Sequence, residues 1–95
     1  MWQKEIWLAD LEPTKGREQG GRRPVVIISG DTMNEHYDVR IVCPISSQVK
    51  KFAGCVLLKK DKVNRLRADS EVLTFQLRTV SKGRLIKKMD SITPE

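Results

Sequence analysis

The chain has 95 residues and a net charge of +6, and hydrophobic and charged residues make up 39% and 32% of it. This is typical of one soluble globular domain, residues 1–95, and excludes a membrane protein, because no run approaches the roughly 18 apolar residues of a spanning helix. The first residues, MWQKEIWLADL, alternate polar and apolar side chains and do not form a signal peptide, so we expect a cytoplasmic protein.

The first half of the chain predicts three strands. KEIWLADL alternates with period two and predicts a strand over residues 4–10, which the loop EPTKGREQGGRR follows. The β-branched run PVVIIS predicts a second strand over 24–29, buried on both faces. GDTMNEHYD is typical of a turn, with His36 at the surface, and VRIVCPI predicts a third strand over 39–45.

The second half predicts two or three further strands. The polar loop SSQVKKFAG leads to a strand over 55–60, and DKVNRLRADS has room for a turn of helix. EVLTFQLRTV alternates and predicts one strand over 71–80, with Leu73, Phe75 and Leu77 on the same face. SKGR predicts a turn and LIKKM a last short strand.

These elements predict a mainly β fold, a β-rich member of the α+β class. Five or six short strands in fewer than 100 residues favour a small barrel or a strongly curved sheet. We expect Trp7 and Phe75 in its core. The final DSITPE is typical of a helix start, with Thr93 as the N-cap and Pro94 at the first helical position.

The titratable residues argue against a metal site. One histidine, His36, and two cysteines in separate apolar runs, Cys43 and Cys55, do not supply the ligands of a transition-metal centre, so we predict no metal and no cofactor. We interpret both cysteines as buried thiols of a reducing cytoplasm. No phosphate-binding P-loop is present, and the glycine-rich loop precedes a strand, which excludes the dinucleotide fingerprint.

The positive charge is unevenly distributed. Residues 40–67 contain eight basic residues and one acid, and residues 72–89 contain five basic residues and no acid. A basic surface of this kind suits a nucleic acid or an acidic peptide, although a solvated basic face without any ligand is an equal alternative on charge alone.

Two loops bordering buried strands could form a metal-free phosphate site. GREQGGRRP offers guanidinium groups and glycine amides, and CPISSQVKK offers two hydroxyls, an amide and two lysines. RNA permits cleavage without a metal because its own 2′-hydroxyl is the nucleophile. The alternative is that Arg22 and Arg23 only bind phosphate or an acidic partner.

Three stretches resemble the MazF/PemK-like toxin family: LADLEPTKGREQGGRRPVVIIS, IVCPISSQ and EVLTFQLRTVSKGRL, in that order. The resemblance implies a small SH3-like barrel with a C-terminal helix, a homodimer, and a metal-independent endoribonuclease that cuts single-stranded RNA. It also implies a cognate antitoxin whose acidic tail blocks the active groove. Because the chain ends at TPE, we expect the C-terminal helix to be largely absent here.

The resemblance also implies site residues. The catalytic arginine of the family precedes the proline of the first stretch, which is Arg23 here, and the catalytic hydroxyl falls on Ser46, where the family commonly has threonine. Glu18 matches an acidic loop position tied to activity in some members. The other polar residues of the two loops are candidates for binding RNA: Arg17, Gln19, Arg22, Ser47, Gln48, Lys50 and Lys51.

Two other functions remain open at this point. One is a toxin of the same fold that binds a protein target such as a topoisomerase, and the other is an inactive domain that binds RNA or an antitoxin. Aromatic residues for stacking on single-stranded bases are few, and Phe52 is the best candidate among them.

Overall fold

The fold is a strongly curved antiparallel sheet with one short helix, seen in a computed structural model that describes residues 1–12, 21–59 and 68–91. This confirms the prediction of a mainly β, barrel-like fold. Two single 3₁₀ turns lie at Thr74–Gln76 and Lys82–Arg84. The strands and the helix are β1 (Glu5–Asp10), β2 (Arg22–Ile27), α1 (Asp31–His36), β3 (Val39–Ser46), β4 (Val56–Leu58), β5 (Ser70–Val72), β6 (Arg78–Ser81) and β7 (Leu85–Ser91).

Strand β2 is central to the sheet. The strand order is β4-β5-β3-β2-β1-β7, and β6 also pairs with β3. Val25 lies opposite Trp7 of β1 and opposite Pro44 of β3, which fixes the register of the three strands. From Val25 to Ile27, β2 has a partner on each side, so this part of the strand satisfies its backbone groups inside the sheet and can be apolar.

The apolar side chains of β2 contribute to two core clusters, one on each face. Val25 and Ile27 belong to the first cluster and Val26 to the second. All three are at most 2% exposed, so the predicted burial of this strand on both faces is confirmed. Trp7 is half-buried and packs against the first cluster, which agrees in part with its predicted place in the core.

The segment predicted as a turn contains α1. Its Asn34 is buried and bonds to both the hydroxyl and the carbonyl of Ser29, and Asn34 Nδ2 also donates to Asp31. The helix therefore depends on specific hydrogen bonds more than on local propensity, which explains why the sequence pattern missed it. Within the described residues, no helix is long and apolar enough to cross a membrane.

The strand predicted over 71–80 is wrong in one respect, because it is two strands. Ile45 of β3 pairs with Val72 of β5, and straight continuation would place Val42 opposite Phe75. Val42 instead pairs with Arg78 of β6, three residues later, and the 3₁₀ turn between β5 and β6 takes up that shift. Leu73 is buried as predicted.

The same break in the strand corrects the predicted faces. Phe75 and Leu77 are exposed, at 60% and 51%, so Phe75 is not a core residue and the alternation does not continue through the 3₁₀ turn. With β5 and β6 counted separately, the described residues form a sheet of seven strands in place of the five or six predicted.

The last strand is longer than predicted. β7 extends to Ser91, so the first two residues of the DSITPE helix start belong to a strand. Thr93, Pro94 and Glu95 lie outside the described residues, as do residues 61–67 of DKVNRLRADS, where a helical turn is predicted, and Ser70 at its end starts β5. Cys43 is buried as predicted, whereas Cys55 is half-buried just before β4, and both are free thiols.

A buried carboxylate ties the N-terminus to the sheet. Glu5 Oε1 accepts hydrogen bonds from the Trp2 backbone N–H and from Trp7 Nε1, both at 2.9 Å, and Oε2 lies 3.1 Å from Lys88 Nζ. Burial opposes ionisation, but these hydrogen bonds and the N-terminal ammonium together lower the pKa of Glu5 from 4.5 to about 2.

We predict that Glu5→Gln destabilises the protein at pH 7 by about 1–3 kcal/mol. Because the folded-state pKa is depressed, the contribution of Glu5 is complete above pH 4.5 and is lost as the pH falls towards about 2. Urea unfolding of both proteins between pH 7 and pH 2.5 measures this, and the two free energies should converge in acid. Glu35→Gln, at an exposed position of α1, is the control for charge alone. A pH-independent difference would contradict the assignment.

Candidate active site

Arg22 and Arg23 start the central strand and point to opposite faces of it. β2 begins at Arg22, two residues earlier than predicted, so strand alternation already applies to the pair. Arg22 is exposed and lies opposite Asp10, while Arg23 is half-buried and lies opposite Ala9. Alternation places Arg23 on the face of Val25, which belongs to the first core cluster.

Ser46 ends β3 on the same face and at the same end of the sheet as Arg23. The β2–β3 ladder pairs Val25 with Pro44, and Arg23 and Ser46 each lie two residues beyond that pair. The ladder itself ends at Val25 and Pro44, and alternation along each strand from these two residues directs both side chains to one side. By strand alternation, the two side chains that the sequence selected lie on one face at the same end of these two strands.

The hydroxyl of Ser46 also shapes the loop that follows it. Its Oγ accepts a hydrogen bond from Gln48 N at 3.1 Å and lies 3.4 Å from the Gln48 carbonyl oxygen. This is the local turn that Ser and Thr side chains commonly form. Further polar side chains of this loop are exposed to solvent, as a phosphate-binding role requires: Ser47, Gln48, Lys50 and Lys51.

A fully buried acid holds the other half of that loop. Glu71 of β5 is 0% exposed and pairs with Ser46 across the sheet. Its Oε2 accepts a hydrogen bond from Phe52 N at 2.8 Å, and its Oε1 accepts one from Lys50 N at 3.0 Å. Lys51, between the two donors, has φ 56°, the left-handed conformation that lets alternate N–H groups converge on one anion.

Glu71 is a site residue that sequence reasoning missed. The available signal was an acid within the apolar pattern SEVL, at a position where a carboxylate has to find buried donors. Which donors it finds depends on residues about 20 positions earlier in the chain, which no local pattern reveals.

The base of the glycine-rich loop is also closed by hydrogen bonds. Leu11 N donates to the Gly21 carbonyl at 3.0 Å, and Gly21 N donates to Glu12 Oε1 at 2.8 Å. Gly21 has φ 72°, which favours glycine. Arg78 donates to the Leu11 carbonyl, and Arg84 donates to the Asp10 and Glu12 carbonyls. The predicted site residues Arg17, Glu18 and Gln19 lie outside the described residues.

Several basic residues counted from the sequence are structural. Arg40 is 6% exposed, and its guanidinium donates to the carbonyls of Met1, Tyr37 and Val39. Arg40, Arg78 and Arg84 all donate hydrogen bonds to backbone carbonyls and so stabilise the fold. In the described part of the loop that follows Ser46, the exposed basic residues are Lys50 and Lys51.

Other catalytic chemistries receive little support from the geometry. Burial, and to a lesser extent the neighbouring Cys55, raises the pKa of the Cys43 thiol, so Cys43 is a poor nucleophile. His36 is exposed at the end of α1, at the other end of β3 from Ser46. Among residues 1–12, 21–59 and 68–91, no three His, Cys, Asp or Glu side chains are grouped as metal ligands would be.

The chain matches a known protein family along most of its length. The family described as "PemK-like, MazF-like toxin of type II toxin-antitoxin system" matches residues 3–95. A relative from Staphylococcus saprophyticus, named endoribonuclease MazF, is 42% identical over 87 residues, which cover 90% of this chain and 72% of the relative.

Solved structures share the fold. MazF (Form-I) from Deinococcus radiodurans superposes with a TM-score of 0.81 at 23% identity, covering 98% of this chain and 82% of that one. A mycobacterial endoribonuclease in complex with its cognate antitoxin gives a TM-score of 0.71 at 16% identity, covering 99% of this chain and 78% of that one. Both confirm the predicted fold class.

The family match spans nearly the whole chain, and the identity to the staphylococcal relative extends over most of both sequences. Both findings confirm the resemblance seen in the three sequence stretches. The chain belongs to the family of PemK-like, MazF-like toxins of type II toxin–antitoxin systems.

Proposed function

We propose that this protein is the toxin of a type II toxin–antitoxin pair and acts as a sequence-specific endoribonuclease on single-stranded RNA, chiefly mRNA, without a metal or other cofactor. It is a single-domain cytoplasmic protein that forms a homodimer and binds a cognate antitoxin through that antitoxin's acidic tail. The family and the endoribonuclease name of its staphylococcal relative support this function.

One observation carries the proposal: Arg23, the second residue of β2, and Ser46, the last residue of β3, lie on the same face of two paired strands, each two residues beyond the pair of Val25 and Pro44. A rigid sheet fixes both backbones, so a phosphate between the two side chains meets a preorganised guanidinium and a hydroxyl. Preorganised donors of this kind stabilise charge that develops in a transition state.

The reaction requires three tasks around one phosphate. The 2′-hydroxyl loses its proton and attacks phosphorus, the bond to the 5′-oxygen breaks, and that oxygen gains a proton. Since a guanidinium keeps its proton in proteins, Arg23 stabilises the extra negative charge on the phosphate oxygens. Ser46 hydrogen-bonds to the phosphate. Glu18, the only carboxylate among the three catalytic candidates, accepts the proton of the 2′-hydroxyl.

Homodimer formation agrees with the apolar surface of the sheet. Val56 and Leu57 of the edge strand β4 and Ile86 of β7 are each about half exposed, at 52%, 52% and 46%. A second copy with symmetric contacts would remove such side chains from water.

We expect the purified protein to cut a long RNA in the presence of EDTA. The products should carry a 5′-hydroxyl and a 2′,3′-cyclic phosphate or 3′-phosphate, because the 2′-hydroxyl is the nucleophile. Mapping the 5′ ends locates the cleavage motif and identifies the end group. Loss of cleavage on addition of EDTA, or a 5′-phosphate product, would refute the mechanism.

The two adjacent arginines provide a matched pair of variants. We predict that Arg23→Lys lowers the single-turnover cleavage rate by about 10²–10³, because lysine offers a point charge in place of a planar fork, while RNA affinity is largely kept. Arg22→Lys, on the opposite face of β2, should cleave almost as fast as the wild type.

Both variants are compared on one RNA, with folding checked by circular dichroism. If Arg22→Lys loses most of its cleavage rate while Arg23→Lys keeps the rate of the wild type, the site lies on the other face of the strand.

An acidic peptide of about 20 residues should compete with RNA for the basic loops. We predict that its inhibition of cleavage weakens as NaCl rises from about 50 to about 300 mM, because screening shortens the range of exposed charges. Inhibition constants measured at several salt concentrations test this. Equal inhibition throughout would argue against an electrostatic groove.

A further inference from the structure

An exposed pair of phenylalanines lies at the end of the loop that follows Ser46. Phe52 and Phe75 are 43% and 60% exposed, and their ring centroids are 5.2 Å apart in an edge-on arrangement with an interplanar angle of 72°. An edge-on contact occupies the edge of one ring and leaves much of the other ring surface open to solvent. The site described above uses neither ring.

Hydrogen bonds fix both segments that carry these rings. The Glu71 carboxylate holds the backbone N–H of Phe52, with Lys51 in the left-handed conformation before it. Across the pair, Thr74 Oγ1 donates to the Gly54 carbonyl at 2.9 Å, joining the loop to the 3₁₀ turn of Phe75. A buried acid and a strained residue are costly features, and here both serve to set the backbone at Phe52.

The surroundings of the pair suit a nucleic acid. Residues 46–58 contain two lysines, Lys50 and Lys51, both exposed, and no acid. Glu71, the acid that accepts hydrogen bonds from this segment, is buried and engaged by backbone N–H groups. Cationic side chains beside open aromatic rings are the combination that binds single strands, through phosphates and stacked bases respectively.

We propose that Phe52 and Phe75 form a stacking platform for a nucleobase of single-stranded RNA, next to the phosphate held by Arg23 and Ser46. The proposal rests on the proposed function, whose substrate it extends by one base-binding subsite. A protein–protein contact is disfavoured at this place because lysine is depleted in the centre of protein interfaces, whereas Phe52 directly follows two lysines.

The test measures binding of an RNA analogue that cannot be cut. A fluorescein-labelled pool of random-sequence 2′-O-methyl 12-mers lacks the attacking hydroxyl, and a pool suits a platform because stacking tolerates any base. Fluorescence anisotropy gives the affinity of the full chain and its variants. We expect Phe52→Ala and Phe75→Ala each to weaken binding about 5- to 100-fold.

Two further substitutions at Phe52 separate stacking from plain apolar contact. Phe52→Trp keeps a flat ring and should bind at least as well as the wild type. Phe52→Leu keeps most of the apolar area without a ring, and should bind nearly as weakly as Phe52→Ala. If Phe52→Leu binds like the wild type, the rings do not stack on bases and the proposal falls.

Tyr37→Ala is the matched control for loss of an exposed aromatic ring. Tyr37 is 63% exposed and precedes the start of β3, whereas Phe52 follows its end, so the two lie roughly 20 Å apart along the strand. We expect its affinity to be unchanged. Equal weakening by Tyr37→Ala would overturn the assignment to this platform.

Two variants test whether the hydrogen bonds of Glu71 to the backbone of Lys50 and Phe52, here called the loop clamp, position the Phe52 ring. Lys51→Gly relieves the left-handed backbone and keeps Phe52, whereas Glu71→Gln removes the anion. Glu71→Gln should weaken binding of the pool even where circular dichroism shows a folded protein. Unchanged binding by a folded Glu71→Gln would show that the clamp does not position the ring. Lys51→Gly should weaken binding of the pool by no more than the loss of one exposed positive charge would.

Cleavage of a long RNA by the wild type is scored separately. If the wild type cuts RNA but both alanine variants bind the pool normally, the platform is wrong and the proposed function stands. If the wild type does not cut but the alanine variants lose affinity, the platform stands without the nuclease. A third outcome is that the alanine variants bind the RNA pool normally but have a different sedimentation coefficient from the wild type. The two rings would then form contacts between copies of the chain, and the platform would be wrong.

Discussion

The register of β2 between β1 and β3 is the constraint on which the rest of the site depends. Pairing on both sides fixes the strand against sliding, since a shift of one residue would turn Val25 and Ile27 from one core cluster to the other. The same register sets which arginine shares the face of Ser46. A core packing requirement therefore selects Arg23 over its neighbour as the candidate catalytic group.

Hydrogen bonds fix the ends of the two loops of the candidate site. The glycine-rich loop is closed by the Gly21 hydrogen bonds and by two arginines that bind backbone carbonyls. The loop after Ser46 is held by the Glu71 carboxylate. Such contacts stabilise when every partner is present and become costly when one is lost, so they fix the ends of the two loops.

The basic composition serves two purposes that charge counting alone does not separate. Arg40, Arg78 and Arg84 donate hydrogen bonds to carbonyls, a task for which the guanidinium fork is suited. Lys50 and Lys51 are exposed beside Ser46, where a charge acts on a ligand through solvent. These three arginines thus complete the fold, whereas these two lysines extend a cationic surface.

The sequence by itself determined the first three strands, the central buried position of PVVII, the two polar loops and the family, because periodicity and composition report local burial directly. Only the tertiary structure decided that 71–80 divides at a 3₁₀ turn, that Asp31–His36 is a helix, that Phe75 is exposed and that Glu71 clamps a loop. Each of these depends on strand register or on hydrogen bonds between residues distant in sequence. Local pattern carries no information on those pairings, so they become visible only when the sheet is assembled.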